Sequence, residues 1–173
     1  MAVAHGGPVV PLPSPALAQP NGCIWARGLL QSVVLVTGWE GANVTTVVPF
    51  LMFTGAAEEA MDLYVSLIPD SRIVDIVRWG PGEKGAEGKV MAAALSLAGQ
   101  TVRCFDSPDV HAFTFTPSFS LFVECASPEE LDRIAAGLLL GGEGLMPAAD
   151  YGFSRRFAWL NDRFGVSWQL NAA

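Results

Sequence analysis

Apolar and polar positions begin to alternate regularly only after about Val44. Residues 1–43 are rich in proline, glycine and alanine and show no sustained period, so we expect an N-terminal extension without regular structure. The run LLQSVVLVT, residues 29–37, is the part of this extension whose pattern also suits an edge strand. The pattern therefore predicts one folded domain at residues 44–173.

The domain opens with a strand, a helix and three further strands, at about residues 46–108. The helix, AEEAMDLYVSLI, carries Glu58 and Glu59 in its first turn, where the helix dipole favours acidic side chains. The predicted strands are VVPFLMF, SRIVDIVRW, KVMAAALSLAG and QTVRCFD.

A second unit follows at about residues 117–171. The strand FSLFVEC precedes the helix SPEELDRIAAGLLL, in which Ser127 is the expected N-cap and Pro128 the first helical residue. Gly141 lies past the end of this helix, and RRFAWLND and GVSWQLN form a closing hairpin.

The two units can be superimposed on each other. A shift of 71 residues places Glu58 on Glu129, and the same shift places Pro49 on Ser120. The last strands match through their glycines, with a shift of 66 residues. We therefore predict an α+β chain in which a βαβββ unit is used twice.

Composition narrows the class of protein. A net charge of −7 repels phosphate backbones, and no run approaches the roughly 20 apolar residues of a membrane-spanning helix. Nucleic acid and membrane are therefore not expected partners. Cys23, Cys104 and Cys125 lack metal-binding or CxxC spacing and suit a reducing compartment, so we predict a cytoplasmic protein.

A tandem βαβββ unit that ends in DRFGVSWQ resembles the vicinal oxygen chelate, or glyoxalase and bleomycin-resistance, superfamily. The segments FTGAAEEAMDLYVSLIPDSRI, FTFTPSFSLFVEC and YGFSRRFAWLNDRFGVSWQLN are similar to its PhnB-like branch, often labelled 3-demethylubiquinone-9 3-methyltransferase-like. The resemblance covers about residues 46–171. It implies two half-barrels whose concave sheets enclose a site that, in the enzymes, holds a divalent metal.

The resemblance also indicates where metal ligands would lie, on the first and last strands of each unit. These positions fall on Pro49, Arg103, Ser120 and Gln169. None is a histidine or a carboxylate, and an arginine would place a positive charge where the cation should lie. We therefore predict no cofactor and disfavour a divalent metal; the remaining alternative is a weak site of oxygen ligands from Gln169, Ser120 and Glu124.

Side chains alternate between the two faces of a strand, which divides each predicted strand into core and cavity positions. Trp168 is expected in the core and its neighbour Gln169 in the cavity; Val102 and Cys104 are expected in the core. The predicted cavity residues are Leu51, Phe53, Arg103, Phe105, Ser120, Phe122, Glu124 and Gln169.

An apolar cavity with a few polar groups is typical of small-molecule sites. The first interpretation is a protein that binds a small ligand, as bleomycin-resistance relatives do. The alternative is a metal-independent or weakly metal-dependent enzyme, in which Arg103 holds an anionic group and Glu124 or His111 transfers a proton. A third possibility is structural: Arg103 and Glu124 neutralise each other as a buried ion pair.

The methyltransferase label of the branch finds no support in the glycine pattern. A nucleotide-type methyl donor would call for a glycine-rich loop between a strand and a helix. The run GLLLGGEGLM instead follows a helix, so its glycines are interpreted as a C-cap and a turn.

Aromatic residues near arginines predict a homodimer. Arg155 and Arg156 lie among them, and aromatic residues with arginine are enriched at interface hot spots. The aromatic residues are Trp79, Phe113, Phe115, Phe153, Phe157 and Trp159. The alternative is that these rings cover the open ends of the barrels within one chain.

Overall fold

The structure, a computed structural model, describes residues 45–173. The expectations for residues 1–43, including the run at 29–37 and Cys23, lie outside the described residues. The elements, in chain order, are β1 (Phe50–Phe53), α1 (Ala57–Leu67), β2 (Arg72–Arg78), β3 (Val90–Leu97), β4 (Gln100–Asp106), β5 (Ser120–Glu124), α2 (Pro128–Leu138), β6 (Glu143–Ala149), β7 (Arg156–Asn161) and β8 (Ser167–Ala172).

Each unit forms one four-stranded sheet. The strand orders are β1-β4-β3-β2 and β5-β8-β7-β6, with the first and last strands of each unit parallel and the other pairs antiparallel. A parallel pair needs a crossover connection, and here the helix and the two middle strands supply it. The prediction of an α+β fold with two βαβββ units is confirmed.

β6 is the strand that the sequence pattern does not assign. Its pairing with β7 is irregular, with register shifts on both sides of Met146, and Pro147 lies within it. Proline is tolerated at the edge of a sheet, and irregular pairing breaks the alternation by which strands are recognised.

The start of α2 agrees with the prediction. Ser127 is the N-cap, and its hydroxyl accepts a hydrogen bond from the Glu130 N–H at 3.2 Å. The Glu130 carboxylate in turn accepts from the N–H of Ala126, the residue before the N-cap, at 2.7 Å, so side chain and backbone at this helix start bond reciprocally, much as in a capping box. Within residues 45–173, no helix reaches the length and apolarity that crossing a bilayer requires.

The core lies between the sheets and the helices and is shared by both units. Val102, Cys104 and Trp168 are at most 1% exposed, as predicted. The helices meet at Gly137 of α2, where any side chain would collide with Leu67 of α1. Close helix contact therefore joins the two halves on the outer side of the sheets.

A buried carboxylate provides the strongest polar link between the units. Asp162, in the turn between β7 and β8, accepts hydrogen bonds from the Tyr64 hydroxyl of α1 at 2.7 Å and from Trp168 Nε1 at 3.0 Å. The backbone N–H groups of Phe164 and Val166 donate to its other oxygen at 2.9 and 3.0 Å. Burial raises the pKa of Tyr64, and the nearby carboxylate raises it further, so the hydroxyl stays protonated and donates. Four donors thus compensate a charge that would otherwise be costly in the core.

A second buried carboxylate organises the first unit. Asp106, at the end of β4, accepts hydrogen bonds from the N–H groups of Gly55 and Ala57 at 2.7 and 3.0 Å and of Val90 at 3.1 Å. Ala56, the N-cap of α1, offers no side-chain bond of its own. Asp106 therefore takes the place of a capping side chain and ties the first turn of α1 to the sheet.

We expect Asp162→Ala to lower the free energy of unfolding by more than about 3 kcal/mol, because it leaves four donors without their acceptor. Tyr64→Phe removes one bond to a charged group and should cost about 1.5–3 kcal/mol. Urea unfolding of the full chain measures both. The control is Ser66→Ala, whose exposed hydroxyl bonds only to its own helix, at the Leu63 carbonyl. Equal stability of Asp162→Ala and Ser66→Ala would show that Asp162 does not join the units.

Candidate functional site

Each sheet has one face that packs on the helices and an opposite face, here called the inner face. Arg103 of β4 pairs laterally with Phe50 of β1 and with Ala94 of β3, and Asp75 of β2 lies beyond Ala94. Laterally paired side chains project from the same face of a sheet. The inner face of the first sheet therefore comprises Phe50, Met52, Arg72, Asp75, Val77, Ala92, Ala94, Ser96, Thr101, Arg103 and Phe105.

The prediction that Leu51 and Phe53 face the cavity is wrong. They are 2% and 4% exposed and belong to the core. Leu51 lies opposite Cys104, which is itself a core residue. The cavity-side residues of β1 are instead Phe50 and Met52.

This error arises because the shift that relates the first strands of the two units differs by one residue from the shift that relates their helices. Phe50 pairs with Arg103 as Phe122 pairs with Gln169, so a shift of 72 residues relates the two first strands. The shift of 71 that superimposes the helices selects the opposite face of β1. Pro49 consequently precedes the strand, and its carbonyl accepts from the Arg103 N–H at 2.9 Å. Phe50 therefore occupies the ligand position on the first strand that the sequence analysis assigns to Pro49.

Arg103 places an unpaired positive charge on the inner face. Its Nε is buried and has no hydrogen-bond partner among residues 45–173. The ion pairs within residues 45–173 involve Arg78, Arg133 and Arg156 instead. Beside Arg103, Ala94 contributes only a methyl group, so the inner face is not filled by a large side chain on that side.

Aromatic rings flank this charge. The rings of Phe50 and Phe105 stack with centroids 5.2 Å apart and planes 15° apart. Phe105 is 2% exposed and Phe50 56% exposed, so the pair has a buried base and an accessible edge. The first sheet thus presents an apolar surface beside the Arg103 guanidinium, with Asp75 and Arg72 of β2 farther across the same face.

On the inner face of the second sheet, nine side chains of β7, β8 and β5 form three rows, here called the polar grid; β6 adds Glu143, Met146 and Ala149 beside Asn161, Trp159 and Phe157. The rows across β7, β8 and β5 are Asn161–Ser167–Ser120, Trp159–Gln169–Phe122 and Phe157–Asn171–Glu124. The middle strand, β8, contributes only polar side chains, and aromatic rings stand on both sides of it. The predictions for Ser120, Phe122, Glu124 and Gln169 as inner-face residues agree with this register.

Hydrogen bonds connect the first two rows of the polar grid. Trp159 Nε1 donates to Ser167 Oγ at 2.9 Å, and Gln169 Nε2 donates to Ser120 Oγ at 3.3 Å. The two serine hydroxyls lie 2.8 Å apart, so one donates to the other. Asn161 Oδ1, in the same row as the serines, is buried and has no partner.

Glu124 does not neutralise Arg103. Its carboxylate accepts a hydrogen bond from Asn171 Nδ2 at 2.7 Å, across the third row of the polar grid. The predicted ion pair is therefore wrong for the described chain, in which no carboxylate lies within ion-pairing distance of Arg103. The two charges lie on different sheets, each with its own surroundings.

His111 lies in the segment between β4 and β5. Its Nε2 is 2.9 Å from the Ser107 hydroxyl, and its ring stacks on Phe113 with centroids 4.9 Å apart. None of its contacts in the described chain reaches Arg103 or Glu124. The structure therefore does not bring the three candidate catalytic residues together.

Sequence reasoning missed the part of the polar grid that β7 and β8 share. Alternation along β8 places Ser167 on the face of Gln169, but Asn161 is not among the predicted cavity residues, and Trp159 is predicted at a dimer interface. Alternation along RRFAWLND would have placed Trp159 and Asn161 on the same face. Whether Gln169 lies on this same face depends on the register of β7 against β8, and no local sequence pattern predicts that register.

Of the aromatic residues predicted at an interface, Phe113 and Phe153 are exposed, at 66% and 70%. Phe157 is 6% exposed, so its assignment to the surface is wrong: it lies under Phe153, with ring centroids 5.2 Å apart. Trp79, Phe115 and Trp159 are half-buried. Arg156 pairs with Asp132 at 2.8 Å.

A cleft of about 420 Å³ opens beside β1 and is lined by Phe50 and Met52 of the inner face together with Phe53. Its walls are mainly phenylalanine rings, and Arg163 stands over the ring of Phe164 at 4.8 Å. A second cleft, of about 350 Å³, lies beside β5 and is bordered by Phe122 and Glu124. Both clefts follow the free edges of the two parallel pairs.

The inner-face side chains do not suit the divalent cation of the metal enzymes that the sequence resembles. On the observed register the four positions hold Phe50, Arg103, Ser120 or Phe122, and Gln169. Residues 45–173 contain no group of three or more His, Cys, Asp and Glu side chains able to hold a metal. The fixed guanidinium of Arg103 opposes cation binding there.

Comparisons with known proteins agree on the fold and the family. The family model described as 3-demethylubiquinone-9 3-methyltransferase matches residues 45–171. A PhnB protein from Bacillus cereus is 48% identical with a TM-score of 0.73, over 75% of this chain and 100% of that chain. Protein PA1353 from Pseudomonas aeruginosa is 25% identical with a TM-score of 0.65, over 75% of this chain and 98% of that one. The comparison with curated proteins gives no match.

A more distant likeness shows the fold alone. A fosfomycin resistance protein, FosX, from Listeria monocytogenes, solved with Mn(II) and 1S,2S-dihydroxypropylphosphonic acid, is 13% identical with a TM-score of 0.50. The match covers 76% of this chain and 94% of that chain. With the paired βαβββ sheets and the extent of the family match, the chain belongs to the 3-demethylubiquinone-9 3-methyltransferase (PhnB-like) family of the glyoxalase superfamily.

Proposed function

We propose that the chain binds a small organic anion on the inner face of the first sheet, where Arg103 holds the anionic group. The observation that carries this proposal is the buried Arg103 Nε without a hydrogen-bond partner. A buried N–H without an acceptor costs free energy, and a carboxylate or similar group would supply a charge-assisted bond. The stacked rings of Phe50 and Phe105 offer an apolar surface for the body of the ligand.

Local rather than overall charge would direct such a ligand. The chain carries a net charge of −7, which repels anions at long range. Affinity would therefore depend on contact with Arg103, and little on the field of the whole protein.

The enzymatic alternative, a lyase, isomerase or methyl-transfer reaction without the usual metal, needs a proton-transferring group beside the bound anion. Glu124 is engaged with Asn171, and His111 with Ser107 and Phe113. Binding without established chemistry is therefore the better-supported function.

The cysteines support a place in a reducing compartment such as the cytoplasm. Burial raises the pKa of Cys104 to about 12 and that of Cys125 to about 11. Both are free thiols, and both are poorly reactive when protonated.

We expect Arg103→Met to weaken the binding of benzoate at least tenfold, because the charge-assisted bond is worth about 1.5–3 kcal/mol. Isothermal titration of the full chain measures the dissociation constant. The control is Arg133→Met, which removes the same charge from the exposed surface of α2, on the outer side of the sheet, and should leave Kd within about twofold. Benzoate binding that Arg103→Met leaves intact, or none at all by the wild type, would contradict the proposal.

A homodimer formed through the exposed aromatic residues remains part of the proposal. Light scattering at micromolar concentration should give twice the chain mass of 18.3 kDa. Phe153→Glu should shift the mass toward the monomer, because it places a charge on a ring that is 70% exposed. Leu140→Glu, at another exposed apolar position, is the control and should leave the mass unchanged. A wild-type mass of 18.3 kDa would refute the dimer.

A further inference from the structure

The polar grid of the second sheet is neutral where it is most buried. Ser167 is 1% exposed and accepts from Trp159 Nε1, and Asn161 beside it contributes an uncharged oxygen. Glu124 lies two rows away, where Asn171 engages it, and the exposed Glu143 of β6 is the lateral partner of Asn161. These two carboxylates would repel an anionic ligand, whereas an uncharged polar ligand would not be repelled.

Counting donors and acceptors shows what the first row of the polar grid lacks. Ser167 and Ser120 each accept one N–H, from Trp159 and Gln169, and one serine proton fills the bond between the hydroxyls. The other serine proton has no acceptor within the described network. Asn161 Oδ1 is an acceptor without a donor. When Ser120 donates to Ser167, the Ser167 proton is the unused donor, and it lies on the strand next to the unused acceptor of Asn161, with the Cβ atoms of these two residues about 5 Å apart.

A primary amide presents the complementary pair, since its N–H donates and its carbonyl accepts within one planar group. The N–H would reach Asn161 Oδ1 while the serine proton reaches the carbonyl oxygen. Trp159 and Phe122 stand on either side of Gln169 in the next row, so a planar ring attached to the amide would meet aromatic side chains.

We propose that the polar grid is a binding subsite for an aromatic carboxamide or a related planar ureide. This subsite goes beyond the anion site: it uses no residue of the first sheet and stands whether or not Arg103 binds benzoate. Asn161 is its central acceptor, and Gln169 holds Ser120 in position through the bond at 3.3 Å.

Asn161→Leu separates a binding role from a packing defect. Replacing an unpaired buried amide by an apolar side chain of similar size should leave the melting temperature unchanged or raised. If the unpaired amide of Asn161 has no role in binding, Asn161→Leu should not change the affinity for benzamide. If it is part of the subsite, benzamide binding should fall at least tenfold in a protein that is as stable as the wild type.

The experiment is a titration of the full chain with benzamide, followed by isothermal calorimetry beside a thermal melt. Asn161→Asp keeps an acceptor oxygen and should retain more binding than Asn161→Leu, and Gln169→Leu should weaken binding while leaving the helix-side core untouched. Ser66→Ala, on the exposed face of α1, is the control. Three results would overturn the proposal. The wild type fails to bind benzamide, Asn161→Leu binds benzamide as well as the wild type does, or the wild type binds glucose in place of benzamide.

Discussion

The carboxylate of Asp162 is the interaction on which the arrangement of the two units most depends. It receives the Tyr64 hydroxyl from the first unit and Trp168 Nε1 from the second, and two N–H groups of its own turn hold it in place. A buried charge of this kind is stable only while all its donors remain. It therefore fixes how α1 of the first unit meets β8 of the second, and β8 is the strand that carries the polar side chains of the inner face.

The same β8 shows why one strand can serve both stability and binding. Trp168 and Leu170 project into the core, whereas Ser167, Gln169 and Asn171 project from the other face. Rigid packing on one face positions the polar groups on the other, as a preorganised site requires. The first sheet has a corresponding division on β4, with Cys104 in the core and Arg103 on the inner face. Two chemically different surfaces, one with the Arg103 guanidinium and one with the hydroxyl and amide groups of β8, therefore rest on the same kind of scaffold.

The sequence was most informative where alternation was regular. It predicted both helices, the repeat, and the opposite directions of Trp168 and Gln169, because apolar periodicity and capping residues are local signals. It failed at β1, where a short strand is shifted by one residue relative to the helix, and at β6, where Pro147 and irregular pairing remove the pattern. Asn161 lies beside Ser167 because of the register of β7 against β8. Arg103 is separated from Glu124 because the two residues lie on different sheets. Both features are non-local, so a local sequence pattern does not reveal them.

If ligands bind on the inner faces of the sheets, a bound probe must contact side chains on those faces. Full-length protein titrated with 4-carbamoylbenzoate, which carries both an anionic and an amide group, can be followed by NMR through side-chain N–H resonances. The account predicts that Arg103 Nε–H and the amide protons of Asn161 and Gln169 shift on titration, while Arg133 Nε–H on α2 does not. Shifts confined to Arg163 Nε–H or Arg133 Nε–H, with none at Arg103, Asn161 or Gln169, would contradict it.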